Sequence, residues 1–101
     1  MKEAAVEEYL RKRVKAIGGL AEKFTVPARR GPPDRQCTYP WGRLDYVETK
    51  RPKGGELKPW QERDHARRRA WGFRVYVIYT KDQVDTYIGE VKAEYRPEEH
   101  R

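Results

Sequence analysis

The 101-residue chain reads as one α/β domain with the element order α-β-β-β-α-β-α. Three observations carry this. Val6, Leu10, Val14 and Ile17 recur at spacings of four, four and three, which is the apolar stripe of an amphipathic helix. Residues 34–39 and 43–49 are two strand-like runs joined only by Pro40-Trp41-Gly42, short enough for an antiparallel hairpin. In Phe73 to Tyr79, Val75, Val77 and Tyr79 fall on one face and Tyr76 and Ile78 on the other, a pattern that predicts a central strand.

The remaining boundaries follow from local chemistry. The first helix, residues 3–17, ends at Gly18-Gly19, because glycine enters the left-handed region without a steric cost. Leu20 to Phe24 is a short strand. Val26 to Pro33 contains three prolines, a glycine and Arg29-Arg30, which makes it a basic loop. Arg51 to Lys58, with Pro52, Gly54 and Gly55, is a second one. Pro59 suits the first turn of a helix, where its missing N–H is no loss, and that helix runs to Trp71 and stops at Gly72. Thr80 N-caps a last helix through Val84, Tyr87, Ile88 and Val91, with Asp82 in its first turn. The domain is expected to span residues 1–94, with 95–101 a charged tail.

Leu, Ile, Val and Phe together number 17 and the net charge is +7, a composition bordering on disorder. Three Trp and seven Tyr supply burial that the aliphatic count misses. A deep self-sufficient core, a membrane-spanning protein and a disulfide-stapled mini-domain are excluded. No apolar run approaches the roughly 20 residues that cross a bilayer. Met1-Lys2-Glu3 leads into a helix pattern and not a signal peptide, and the single Cys37 suits a reducing compartment, so the expected location is cytoplasmic and not secreted. The 23 Lys and Arg against 16 Asp and Glu point to a polyanionic partner. Nucleic acid is the first candidate, since no basic helix carries the wide apolar face that membranes require.

One constellation carries chemistry. Asp34 begins the second strand directly after Pro32-Pro33, while Glu48 and Lys50, two apart, share a face at the end of the third. A hairpin sets the start of one strand beside the end of the next, so Asp34 meets Glu48 and Lys50. Two adjacent carboxylates repel, and a hard divalent cation between them relieves that repulsion. A lysine beside such a metal can orient an attacking water or stabilise charge building on a phosphate. Taken singly, Asp34 is an ordinary turn residue and Glu48–Lys50 a surface pair worth under about 1 kcal/mol. Their joint arrangement is what points to a metal site.

Gly31-Pro32-Pro33-Asp34-Arg35 followed by Glu48-Thr49-Lys50 resembles the PD-(D/E)XK nuclease signature. Gly18-Gly19, Lys23-Phe24-Thr25, Gly42-Arg43, Pro59-Trp60-Gln61, the run from Gly72 to Ile78 and Val84-Asp85 extend the likeness. From about residue 2 to residue 88 the chain is similar to the virus-type replication–repair nuclease (VRR-NUC) family in its stand-alone form. The resemblance implies a restriction-endonuclease-like αβββαβ core with a mixed central sheet flanked by helices, and a Mg²⁺- or Mn²⁺-dependent DNA endonuclease. Asp34 and Glu48 would hold the metal, the Thr49 backbone carbonyl would complete the shell and Lys50 would position the water. A glutamate from the first helix would join them: Glu7, or Glu3 as the alternative. Gln61 matches the family's glutamine at the start of the second helix, a site-supporting or phosphate contact. Stand-alone members resemble Holliday-junction resolvases, which implies a homodimer acting on branched DNA in repair, in a phage or bacterial setting. Thr49, where members usually carry an apolar residue, and the polar Gln36 and Asp45 depart from the pattern. Asp45 would point to solvent or join a partner contact.

Arg29, Arg30, Arg35, Lys53 and Lys58 are the expected phosphate contacts, giving affinity without base readout. Arg67-Arg68-Arg69 reads equally as a solvated helix face or as DNA-facing. On a helical wheel Gln61, His65 and Arg68 lie opposite Ala66 and Ala70, so His65 and Arg68 would reach phosphates if that side faces DNA. His65 has no partners for a tetrahedral zinc set. Trp41, Trp60 and Trp71 read as core or dimer contacts, and Cys37 as a small buried hydrophobe. The competing reading is a non-catalytic basic DNA-binding module on a nuclease fold; RNA cleavage is a third.

Overall fold

Glu3–Ala16 wind into helix α1, whose buried residues are Val6, Leu10 and Val14. The helix closes where Gly18 takes φ of +90°, and the N–H groups of Gly18 and Gly19 return to the carbonyls of Lys15 and Val14. Strands β1 (Leu20–Lys23), β2 (Arg35–Thr38) and β3 (Leu44–Thr49), helix α2 (Pro59–Ala70), strand β4 (Arg74–Ile78) and helix α3 (Lys81–Ala93) follow. Every expected element is present, in order and within two residues of its expected limits. The computed structural model describes residues 2–95; Met1 and residues 96–101 of the expected tail lie outside the described residues. Tyr95, placed in that tail by sequence, packs its ring 4.7 Å from Trp41.

The four strands lie in the order β1-β2-β3-β4, antiparallel for the first two pairings and parallel for β3 with β4. A parallel pairing needs a crossover, and α2 supplies it. α1 and α3 cover one sheet face, joining Val6, Leu10 and Val14 to Cys37, Val47, Ile78, Val84, Tyr87, Ile88 and Val91 in the main core. α2 lies on the opposite face.

β4 is an edge strand, with β2 and β3 the interior ones, which corrects the expectation of a central fourth strand. Its apolar residues on both faces reflect helices above and below, with Tyr76 packed 4.7 Å from Tyr87 of α3. The exposed edge is blunted: the Arg69 guanidinium donates to the carbonyl of Val75 at 2.7 and 3.3 Å. Asp45 also departs from expectation. It is fully buried, accepting from Arg43 Nε at 2.9 Å, Arg74 Nε at 2.7 Å and the Tyr87 hydroxyl at 2.7 Å. A carboxyl group tolerates burial when its oxygens are so paired. Trp41 stacks on Tyr39 and Trp60 lies 3.9 Å beneath the Arg30 guanidinium, whereas Trp71 is 67% exposed and is no core residue.

Candidate active site

The hairpin register builds the site. Arg35 pairs with Val47, so one step further along both strands Asp34 comes opposite Glu48. The Thr49 N–H donates to Asp34 Oδ2 at 3.4 Å, fixing that carboxylate at the end of β3. Lys50 Nζ lies 3.4 Å from Glu48 Oε2, as the two-residue spacing requires. Asp34, Glu48 and Lys50 thus stand together.

Gln61 enters from the first turn of α2. Its Nε2 donates to Glu48 Oε2 at 3.3 Å while its Oε1 accepts from the Lys58 N–H at 2.9 Å, so both ends of the amide are fixed. Glu48 is 1% exposed, and its Oε1 has no hydrogen-bond partner among the described residues. Burial, then the neighbouring Asp34, push its carboxyl up to about 8, against a smaller opposing effect of Lys50. His65 Nε2 lies 3.9 Å from that same Oε1. Burial and then Arg69 hold the imidazole below its ordinary pKa.

This donor set suits a hard cation. Among the described residues no three His, Cys, Asp or Glu side chains converge on one point. Mg²⁺ does not need such a cage: one or two carboxylates, solvent and substrate phosphate oxygens usually complete its shell. Asp34 and Glu48 would provide the carboxylate oxygens.

The first helix contributes differently from expectation. Glu7 Oε1 is bound by Arg35 Nη2 at 2.5 Å, and Arg35 Nη1 donates to the Ala21 carbonyl at 2.9 Å, so Arg35 is an internal strut and not an exposed phosphate contact. Glu3 and Glu7 both line the hollow that holds Asp34, and Glu3 also lines the neighbouring one beside Lys50.

The basic residues divide. Lys53 and Lys58 are exposed, and Lys58 lines the hollow with Lys50 and Arg51. Arg29 pairs with buried Asp64 at 3.2 Å. Gly31, at φ +113°, lets this loop close on α2: a Cβ there would sit 2.8 Å from the Trp60 carbonyl. His65 is fully buried, and Arg68 bonds Asp64 Oδ1 at 2.6 Å with its guanidinium 4.7 Å from the centre of the Tyr46 ring. The side of α2 bearing both faces the sheet, with Ala66 and Ala70 outward, so the expected phosphate contacts of His65 and Arg68 are corrected. Lys2, Lys23 and Arg51 line the two hollows and were not singled out from sequence. Their positive charge was the available signal, but only the fold tells which cations gather there.

No protein-family model matches the chain. A solved structure described as a VRR_NUC domain superposes with a TM-score of 0.82 at 31% identity, covering 94% of this chain and all of that one. The chain belongs to the VRR-NUC family. A second similarity agrees: "Putative nuclease p44" of Acyrthosiphon pisum secondary endosymbiont phage 1 is 43% identical over 82 residues, 81% of this chain and 87% of that protein. The VRR-NUC fold therefore brings Asp34, Glu48 and Lys50 together in this chain. No helix among the described residues is long and apolar enough to cross a membrane.

Proposed function

We propose that the protein is a Mg²⁺- or Mn²⁺-dependent DNA endonuclease selective for DNA structure over sequence, in the manner of a Holliday-junction resolvase. The carrying observation is the convergence of Asp34, Glu48 and Lys50, with Gln61 bound to Glu48 at 3.3 Å. Asp34, Glu48 and the Thr49 carbonyl would hold the cation. From α1, Glu3 supports the metal side better than Glu7, whose carboxylate serves Arg35. A bound divalent cation supplies Lewis acidity to a phosphoryl oxygen and lowers the pKa of a bound water. Lys50 orients the attacking water and compensates charge building on the phosphate. Gln61 holds the Glu48 carboxylate in place. Lys2, Lys23, Arg51, Lys53 and Lys58 would grip the phosphate backbone, which favours affinity without base readout.

A homodimer acting on branched DNA fits two further observations. The aliphatic core is thin for a 101-residue chain. Across the sheet face that α2 leaves open, Leu20 pairs with Thr38 and Thr38 with Leu44, and exposed Phe73 directly precedes the β4 residue paired with Asp45. The exposed Leu20 and Phe73, at either end of this row, suit an isologous contact. The domain reading is one nuclease unit over residues 1–94, working in the cytoplasm of a bacterial or phage-infected cell.

Labelled Holliday junctions, flaps, nicked and plain duplexes, incubated with Mg²⁺, Mn²⁺ or chelator, test the reading. Nicking of branched substrates that chelator abolishes is expected. Metal-independent binding with no cleavage of any substrate would leave the competing reading, a basic binding module.

A further inference from the structure

We propose that His65 is a positioning residue of this site, its Nε2–H being the donor that fixes Glu48 Oε1. The proposal rests on the metal-nuclease reading and adds a residue to it. His65 is fully buried and Glu48 is 1% exposed. Among the described residues, both ring nitrogens of His65 and Glu48 Oε1 lack a hydrogen-bond partner. Nε2 and Oε1 face each other at 3.9 Å. Leaving a buried polar group unpaired costs about 1–3 kcal/mol, so an imidazole here without a purpose is worse than a leucine.

Helix geometry gives that purpose. Gln61 and His65 are four apart and share one face of α2. Gln61 takes Glu48 Oε2 at 3.3 Å, and His65 stands at the other oxygen. The helix grips the carboxylate from two points, leaving its remaining lone pairs to meet a cation in one orientation. A shift of about 1 Å brings Nε2 and Oε1 within hydrogen-bond range. A neutral imidazole has one N–H, and only the Nε2–H tautomer can donate to an ionised Oε1. Carboxylates that ligate metals are commonly held by such outer hydrogen bonds, whose loss lowers metal affinity by roughly 10–100-fold.

The test is calorimetric Mn²⁺ binding to the DNA-free full chain, comparing parent, His65→Phe and His65→Gln. His65→Phe keeps the ring volume and removes the donor; His65→Gln restores an N–H of similar reach. The expected result is Mn²⁺ affinity about 10–100-fold lower for His65→Phe and within a few fold of the parent for His65→Gln. Equal affinity for parent and His65→Phe, or an equal loss in both variants, overturns the proposal alone. A parent that takes up no Mn²⁺ overturns the nuclease reading as well. Should His65→Phe fail to fold, ¹⁵N spectra of the unaltered protein with saturating Mg²⁺ decide the matter. A ring protonated at Nε2 and bare at Nδ1 supports the proposal, and the opposite tautomer overturns it.

Discussion

The side-chain amide of Gln61 donates to Glu48 Oε2 across 3.3 Å, tying the first turn of α2 to the end of β3. The same amide accepts from the Lys58 N–H, so one residue both caps the helix and steadies the site. Gln61→Leu removes both bonds. The fold should lose about 1 kcal/mol, the usual loss at a helix N-terminus. Nicking should fall about 10–100-fold, as expected for a bond that orients a ligand carboxylate. Thermal melts beside nicking rates at saturating Mg²⁺ separate the two effects.

Glu48 gives the metal-free protein a pH dependence. Its folded pKa is raised from 4.5 to about 8. A group raised in this way contributes stability that is full below its unfolded pKa and lost as pH climbs through the folded one. In chelator, stability should therefore decline between about pH 5 and pH 9 through this carboxyl. Glu48→Gln should flatten that decline and gain about 1–3 kcal/mol over the parent at pH 9, since no charge is buried. Urea titrations at several pH values would show it.

Asp45 anchors the far end of the sheet. Asp45→Ala leaves the 5%-exposed Arg43 with only the half-exposed Glu94 as counter-charge and should cost about 3 kcal/mol. Arg74→Ala removes a partner that is 44% exposed and should cost about 1 kcal/mol or less. Folding midpoints of the two variants, measured together, test this difference.

Cys37 is fully buried, and burial raises its thiol pKa to about 12. The native thiol should resist a disulfide reagent at pH 8 and react fully in denaturant, because the thiolate is the attacking form. Rapid labelling of the native protein would contradict its place in the core.

The legible parts of the sequence were those where apolar spacing or backbone chemistry leaves one solution. Val6, Leu10 and Val14 fix α1 and its inner face, Gly18 ends it, and the short Pro40-Trp41-Gly42 connection sets the register that brings Asp34 to Glu48. Helix α2 was legible as a helix but not in its orientation. Its buried residues are Asp64 and His65, with no aliphatic stripe to read. Charge pairing turns it: Asp64 collects Arg29, Arg67 and Arg68, so two members of the arginine triplet pair with this buried carboxylate and the third, Arg69, with the β4 edge. Glu7 with Arg35 and Asp45 with Arg74 hid in the same way, because an ion pair across elements leaves no periodic trace in sequence.

The central claim is hydrolysis at Asp34, Glu48 and Lys50, and Lys50→Ala examines it most directly. The measurement is nicking of a labelled branched DNA in Mg²⁺, with binding of the same DNA in chelator measured in parallel. Lys50→Ala should bind as the parent does and cut at least about 100-fold more slowly. A Lys50→Ala protein that cuts as fast as the parent would contradict it.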